Sequence, residues 1–128
     1  MKKEEFIEVL KRNNYLYEIQ GDKIIVTHDG YVDLGFLETI PPGVEFRNNG
    51  RVDLRSLETL PPGVEFKNRG NVWLDSLENL SPGAEFKNGG DVYLRGILGV
   101  WLDDWEGNIE GVGGKRLLSL MSNKELFL

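Results

Sequence analysis

Few residues of this chain could perform covalent chemistry. His28 is the one histidine, and there is no cysteine. A hydrolase triad would have to be built on His28 alone, and no serine or threonine has an evident partnership with it. Without thiols there is neither a disulfide framework nor a thiolate metal site. The glycine-rich "GVGG" at 111–114 lacks the strand, the helix and the lysine of a phosphate-binding loop. Asp104, Glu106, Asn108 and Glu110 alternate in "DDWEGNIEG" and supply the oxygens that hard cations want. No register of that stretch, however, gives Asp or Asn at positions 1, 3 and 5 with Gly at 6. The expectation is a protein that is not an enzyme and carries no cofactor or metal.

Binding chemistry is better represented, and an internal repeat organises it. "LETIPPGVEFRNNG", "LETLPPGVEFKNRG" and "LENLSPGAEFKNGG" follow one another at a spacing of 20 residues. The apolar ladders are Val32, Val52, Val72, Val92; Leu34, Leu54, Leu74, Leu94; Leu37, Leu57, Leu77, Ile97; Ile40, Leu60, Leu80, Val100; Val44, Val64, Ala84; and Phe46, Phe66, Phe86. A fixed period without insertions lets every unit bury its apolar side chains against its neighbours in the same pose. Each unit holds two alternating stretches, V-x-L and V-E-F, and alternation of this kind reads as half-buried strand. Pro-Gly and Asn-x-Gly punctuate them as turns. Asn48, Asn68 and Asn88 are expected to form an internal amide ladder. Ile24, Val26 and His28 occupy the corresponding places of a degenerate first unit.

The fold class expected is mainly β: a β-solenoid of about four 20-residue rungs over residues 24–100. Like strands would stack in parallel about 4.8 Å apart. The alternative is an antiparallel hairpin meander. There, a three-residue loop, Asn68-Arg69-Gly70, would set Phe66 opposite Val72 and Val64 opposite Leu74.

"SLETLPPGVEFKNRGNVWLDSLENL" resembles the short leucine-rich-type repeats of the form L-x-x-LP-x-G-V/L found in tandem in bacterial and phage proteins. The likeness covers about 60% of the chain. It implies a leucine-rich-like β-solenoid of a kind that usually binds other macromolecules. The chain has Phe-x-Asn where the better-known leucine-rich repeats are Leu-rich, and its V-E-F stretch suggests a second strand in place of a helix.

The remaining segments read as caps of one domain, 1–128. Within 1–23, residues 3–13 suggest a helix with Phe6, Ile7, Val9 and Leu10 along one side. "YLYEIQGDKIIVTH" suggests a hairpin turning at Gly21-Asp22 and leading into the first unit. In 101–128 an acidic loop precedes "KRLLSLMSNKEL", read as a short helix with Leu117, Leu118 and Met121 against the stack. Trp101 is expected to fill the end of the core.

Comparing the units with one another singles out one face. The V-E-F outward position is always glutamate (Glu45, Glu65, Glu85), which suggests scaffold. The outward positions around V-x-L change every time: Tyr31, Asp33, Gly35; Arg51, Asp53, Arg55; Asn71, Trp73, Asp75; Asp91, Tyr93, Arg95. Strand alternation places all twelve on one solvent face. Trp, Tyr and Arg are the types enriched at binding hot spots. The expected site for a protein partner of unknown identity is therefore Tyr31, Asp33, Arg51, Asp53, Arg55, Trp73, Asp75, Tyr93 and Arg95. The plainer reading is a mixed face that avoids self-pairing, with Trp73 stacked on Tyr93.

Charge offers a second reading. The net charge is −6, which argues against direct nucleic-acid binding. Residues 101–114 hold Asp103, Asp104, Glu106 and Glu110 and no base, whereas residues 50–69 sum to +1. With Trp105, the acidic stretch is the alternative site. It is what an acidic phage-type inhibitor would use against a host defence or nucleic-acid-binding protein, by charge mimicry or steric block. "MKKEEFIEVL" lacks the apolar core of a secretory signal, and no apolar run approaches the roughly 20 residues of a membrane span. The expectation is a cytoplasmic protein, in a bacterial host cell if phage-encoded, with no membrane contact. Homo-oligomers through an edge of the solenoid are a further possibility.

Overall fold

A computed structural model describes residues 1–78 and 85–94. The architecture is mainly β, with one helix and nine strands in two sheets among the described residues.

The chain opens with α1 (Lys3–Arg12). Glu4 and Glu5 lie in its first turn and Lys11 and Arg12 in its last, the arrangement that complements the helix dipole. Phe6 and Leu10, four residues apart, are buried, and Ile7 and Val9 pack partly against the same core. Asn14 takes a left-handed conformation (φ 57°) just past the helix, a role that Asn fills next best after Gly. Strands β1 (Tyr17–Gln20) and β2 (Lys23–Val26) then form the expected antiparallel hairpin about Gly21-Asp22. Gly21 sits at φ 61°, where a side chain would be strained.

Beyond the hairpin, the strands come in two kinds. The V-E-F stretches give β4 (Val44–Phe46), β6 (Glu65–Phe66) and β8 (Glu85–Phe86). The V-x-L stretches give β3 (Val32–Asp33), β5 (Val52–Asp53), β7 (Val72–Trp73) and β9 (Val92–Tyr93). The first sheet runs β1-β2-β4-β6-β8 and the second β3-β5-β7-β9. Apart from the β1–β2 hairpin, every pairing is parallel and joins a residue to the one 20 positions on, as in Val26↔Phe46↔Phe66↔Phe86 and Val32↔Val52↔Val72↔Val92. The antiparallel meander is thereby corrected. Phe66 pairs with Phe46 and Phe86 and does not face Val72 across a hairpin. The reason is packing: parallel stacking lets identical side chains repeat in one rotamer.

The core lies between the sheets and shows this directly. Phe46, Phe66 and Phe86 are fully buried and stack at 5.3 Å between ring centroids, tilted by 5° and 3°. Val32, Val52, Val72 and Leu34, Leu54, Leu74 are equally inaccessible. Each such side chain stabilises the fold by about 1.5–3 kcal/mol relative to exposure.

Asn48, Asn68 and Asn88 are buried, but the expected amide-to-amide ladder is replaced by bonds to main chain. Asn68 Nδ2 donates to the carbonyls of Gly50 (3.0 Å), Gly70 (3.1 Å) and Asn71 (3.4 Å). Asn48 and Asn88 repeat the pattern one unit before and after. The glycine column beside them permits close approach. A Cβ on Gly70 would lie 2.5 Å from Arg51 N and 2.6 Å from the Gly50 carbonyl carbon.

The outward reading is also corrected at Glu45. Glu45 was expected outward, yet it is only 1% exposed. Lys23 and Lys67 reach it at 3.6 and 3.3 Å, and Arg47 pairs with it as well. The same two lysines hold Glu65 at 3.1 and 3.2 Å. Burial works to raise the Glu65 carboxyl, but the two ammonium groups outweigh it and hold its pKa below the ordinary value. Arg95, residues 101–128 with the expected acidic site and expected C-terminal helix, and Ile97, Leu80, Val100 and Ala84 lie outside the described residues. No described helix is long and apolar enough to cross a membrane.

Candidate interaction face

The four-stranded sheet β3-β5-β7-β9 positions the variable face. Each strand buries its Val and the following Leu inward, so the residue between them points outward. Parallel registry brings Asp33, Asp53, Trp73 and Tyr93 into one row. The residues flanking each strand then line up in adjacent rows.

At the centre, Asp53 does not stand in solvent as alternation suggests. It is 4% exposed, because its neighbours fold over it. Its Oδ1 accepts the Arg55 backbone N–H at 3.1 Å, and the Arg55 Nε lies 3.0 and 2.9 Å from its two oxygens. Tyr31, one unit earlier, donates its hydroxyl to Oδ2 at 3.0 Å. Burial, followed by that bond to a carboxylate, pushes the Tyr31 phenol up to about 12. Arg51 lays its guanidinium over the Tyr31 ring, 4.2 Å from the centroid, a cation–π contact. Its N–H groups make no hydrogen bond or ion pair with any described residue.

Tyr31, Arg51, Asp53, Arg55 and Trp73 together line a shallow recess of about 100 Å³. Beside it, Trp73 and Tyr93 touch with centroids 4.6 Å apart and planes tilted by 37°. Both rings are half-buried, so the expected exposed tryptophan is corrected: Tyr93 covers part of the indole. The indole Nε1 is buried and has no hydrogen-bond partner among the described residues. Asp75 is half-buried beyond this pair, and its Oδ1 likewise lacks a partner there. Asp33 is half-buried at the other end, where its Oδ1 accepts the Gly35 N–H at 3.0 Å. Tyr15 anchors that end. Its hydroxyl accepts the Asp33 N–H at 2.9 Å, and its ring meets His28 at 4.9 Å.

The structure thus brings Tyr31, Arg51, Asp53, Arg55 and Trp73 together, with Tyr93 against Trp73 and Asp33 and Asp75 at the flanks. Phe36, in the turn after β3, was not singled out from the sequence, yet it is 60% exposed. Its column reads Phe36, Ser56, Ser76, Gly96, so it is the lone large residue there. That mismatch was a usable signal. Among the described residues no three His, Asp or Glu side chains form a cluster able to hold a metal ion. The chain matches no protein-family model, no curated protein and no solved structure.

Proposed function

We propose that this chain is a non-enzymatic protein-binding module, a leucine-rich-like β-solenoid that displays its β3-β5-β7-β9 face to a partner. The parallel pairings at 20-residue intervals support the solenoid, because each sheet then forms one wall of a continuous coil. One observation carries the binding reading. Aromatic and guanidinium side chains, Tyr31, Arg51, Arg55, Trp73 and Tyr93, share one face around a recess, on strands whose opposite side is fully packed. Such residues on a stiff support lose little freedom when a partner arrives, and they are the types from which binding anchors are made.

The test is a pull-down from native lysate with the wild type beside a Trp73→Ala, Tyr93→Ala double variant, at low and high salt. Loss of a specific partner with the double variant at both salts supports the face. A partner retained by the variant but released by salt would place the activity in the acidic stretch Asp103–Glu110, because exposed charges are screened.

A further inference from the structure

We infer that the recess on this face is a receptor for a carboxylate, an Asp or Glu side chain of the partner protein, held by Arg51 beside the Trp73–Tyr93 pair. The inference rests on the protein-binding reading and adds the chemistry of what is bound. Three of the residues lining the recess are charged, and two of them, Asp53 and Arg55, are paired through the Arg55 Nε. The Asp53 carboxylate takes the Arg55 guanidinium, the Arg55 N–H and the Tyr31 hydroxyl, which leaves it little capacity for a further donor. Arg51 is exposed and faces the recess with its donors unengaged by any described residue. The five lining residues therefore set two guanidinium groups against one carboxylate, and Arg51 keeps a free planar fork, which matches a carboxylate in two parallel hydrogen bonds.

The same geometry disfavours a cationic guest. The Tyr31 ring face that would attract an ammonium group is covered by Arg51 at 4.2 Å, and Arg55 adds a second like charge. A nucleic-acid phosphate would also suit a guanidinium. The net charge of −6 repels a polyanion whose affinity comes from many contacts, whereas one carboxylate needs only the local site. Stacking on Tyr31 holds the Arg51 side chain in place, so less freedom is lost when it binds. An aromatic or aliphatic neighbour of the acidic residue would rest on Trp73 and Tyr93.

The experiment pans a random 12-residue peptide library against the full chain. Selected peptides are then titrated by fluorescence anisotropy against the wild type, Arg51→Gln, Arg51→Lys and the Trp73→Ala, Tyr93→Ala variant. The expected winners carry Asp or Glu next to an apolar residue. Arg51→Gln should weaken them about tenfold, the scale of a hydrogen bond to a charged group. Arg51→Lys should restore part of the loss, because it keeps charge but not the fork. Exchanging the acidic residue for its amide should cost a similar factor in the wild type and nothing further in Arg51→Gln. Winners that are basic or purely apolar, sensitive to the aromatic variant but not to Arg51→Gln, would overturn the carboxylate while leaving the binding face standing. Failure to select any binder would overturn the face and the carboxylate with it. Winners that copy the chain's own Asp103–Glu110 stretch, with concentration-dependent dimers in sedimentation, would make the occupant a second copy and overturn the assignment to a different protein.

Discussion

Replacing Asn68 by aspartate keeps the shape of the side chain and removes its donor. The magnitude follows from the contacts. Asn68 Nδ2 serves the carbonyls of Gly50, Gly70 and Asn71, but none of the three depends on it alone. Gly50 O also accepts the Gly70 N–H, Asn71 O the Val52 N–H, and Gly70 O the Asn88 amide. Asn68→Ala therefore orphans no carbonyl and loses the worth of two donors, about 1–3 kcal/mol at the usual 0.5–1.5 each. Asn68→Asp loses the same bonds and sets a buried carboxylate against three carbonyl oxygens. That adds about 1–3 kcal/mol or more for a buried charged acceptor left without a donor. Its sign depends on pH. The new carboxyl would have a folded-state pKa above its unfolded value of about 3.9. The folded state then binds the extra proton, so stability is lost as pH rises from the unfolded pKa through the folded one. Urea unfolding of the wild type, Asn68→Ala and Asn68→Asp at pH 7.5 and 5.5 measures both effects. Aspartate should be the least stable at pH 7.5 and should recover relative to alanine at pH 5.5. An aspartate variant as stable as the alanine variant at pH 7.5, or a gap unchanged by pH, would refute the donor role of this column.

Gly70→Ala should destabilise by about 1–3 kcal/mol or more, because its Cβ would enter the backbone of the Gly50-Arg51 turn one unit earlier at 2.5 Å. Gly21→Asn, at a left-handed turn with nothing within 4 Å of a Cβ, should be tolerated far better in the same thermal melts. Phe66→Ala should cost about 3–5 kcal/mol by urea unfolding, since it empties the middle of a buried three-ring stack. Phenol absorbance should show one tyrosine titrating near 12, and Asp53→Asn should bring it down towards the ordinary value by removing the acceptor charge. The stability tied to that phenol is present below pH 10 and lost as pH rises towards 12. A Tyr31 titration indifferent to Asp53→Asn would show that the bond between them does not form.

The 20-residue ladders made the parallel strand registers legible, because a fixed spacing of Val, Leu and Phe lets like residues pair at every position, but an antiparallel hairpin with Phe66 opposite Val72 suited the same pattern. The helix at 3–12 and the turn at Gly21 were equally legible from local pattern. Alternation located the outward row but not its burial. Asp53 is covered because its carboxylate gathers the Arg55 N–H and side chain two residues on and the Tyr31 hydroxyl one unit back. Glu45 is covered because lysines from the units on either side converge on it. Such convergence can be read only by comparing columns 20 residues apart. The Tyr15 bond to Asp33 joins α1's exit to the first V-x-L strand, and no spacing rule anticipates it.

The most direct measurement is the dissociation constant of the captured partner for three proteins: the wild type, the Trp73→Ala, Tyr93→Ala variant, and a Glu65→Gln control on the other sheet. The double variant should lose at least about tenfold in affinity (roughly 1.4 kcal/mol). The control should keep a near-wild-type value, with folding of all three verified by circular dichroism. Undiminished affinity in the folded double variant would contradict the claim that β3-β5-β7-β9 is the working face.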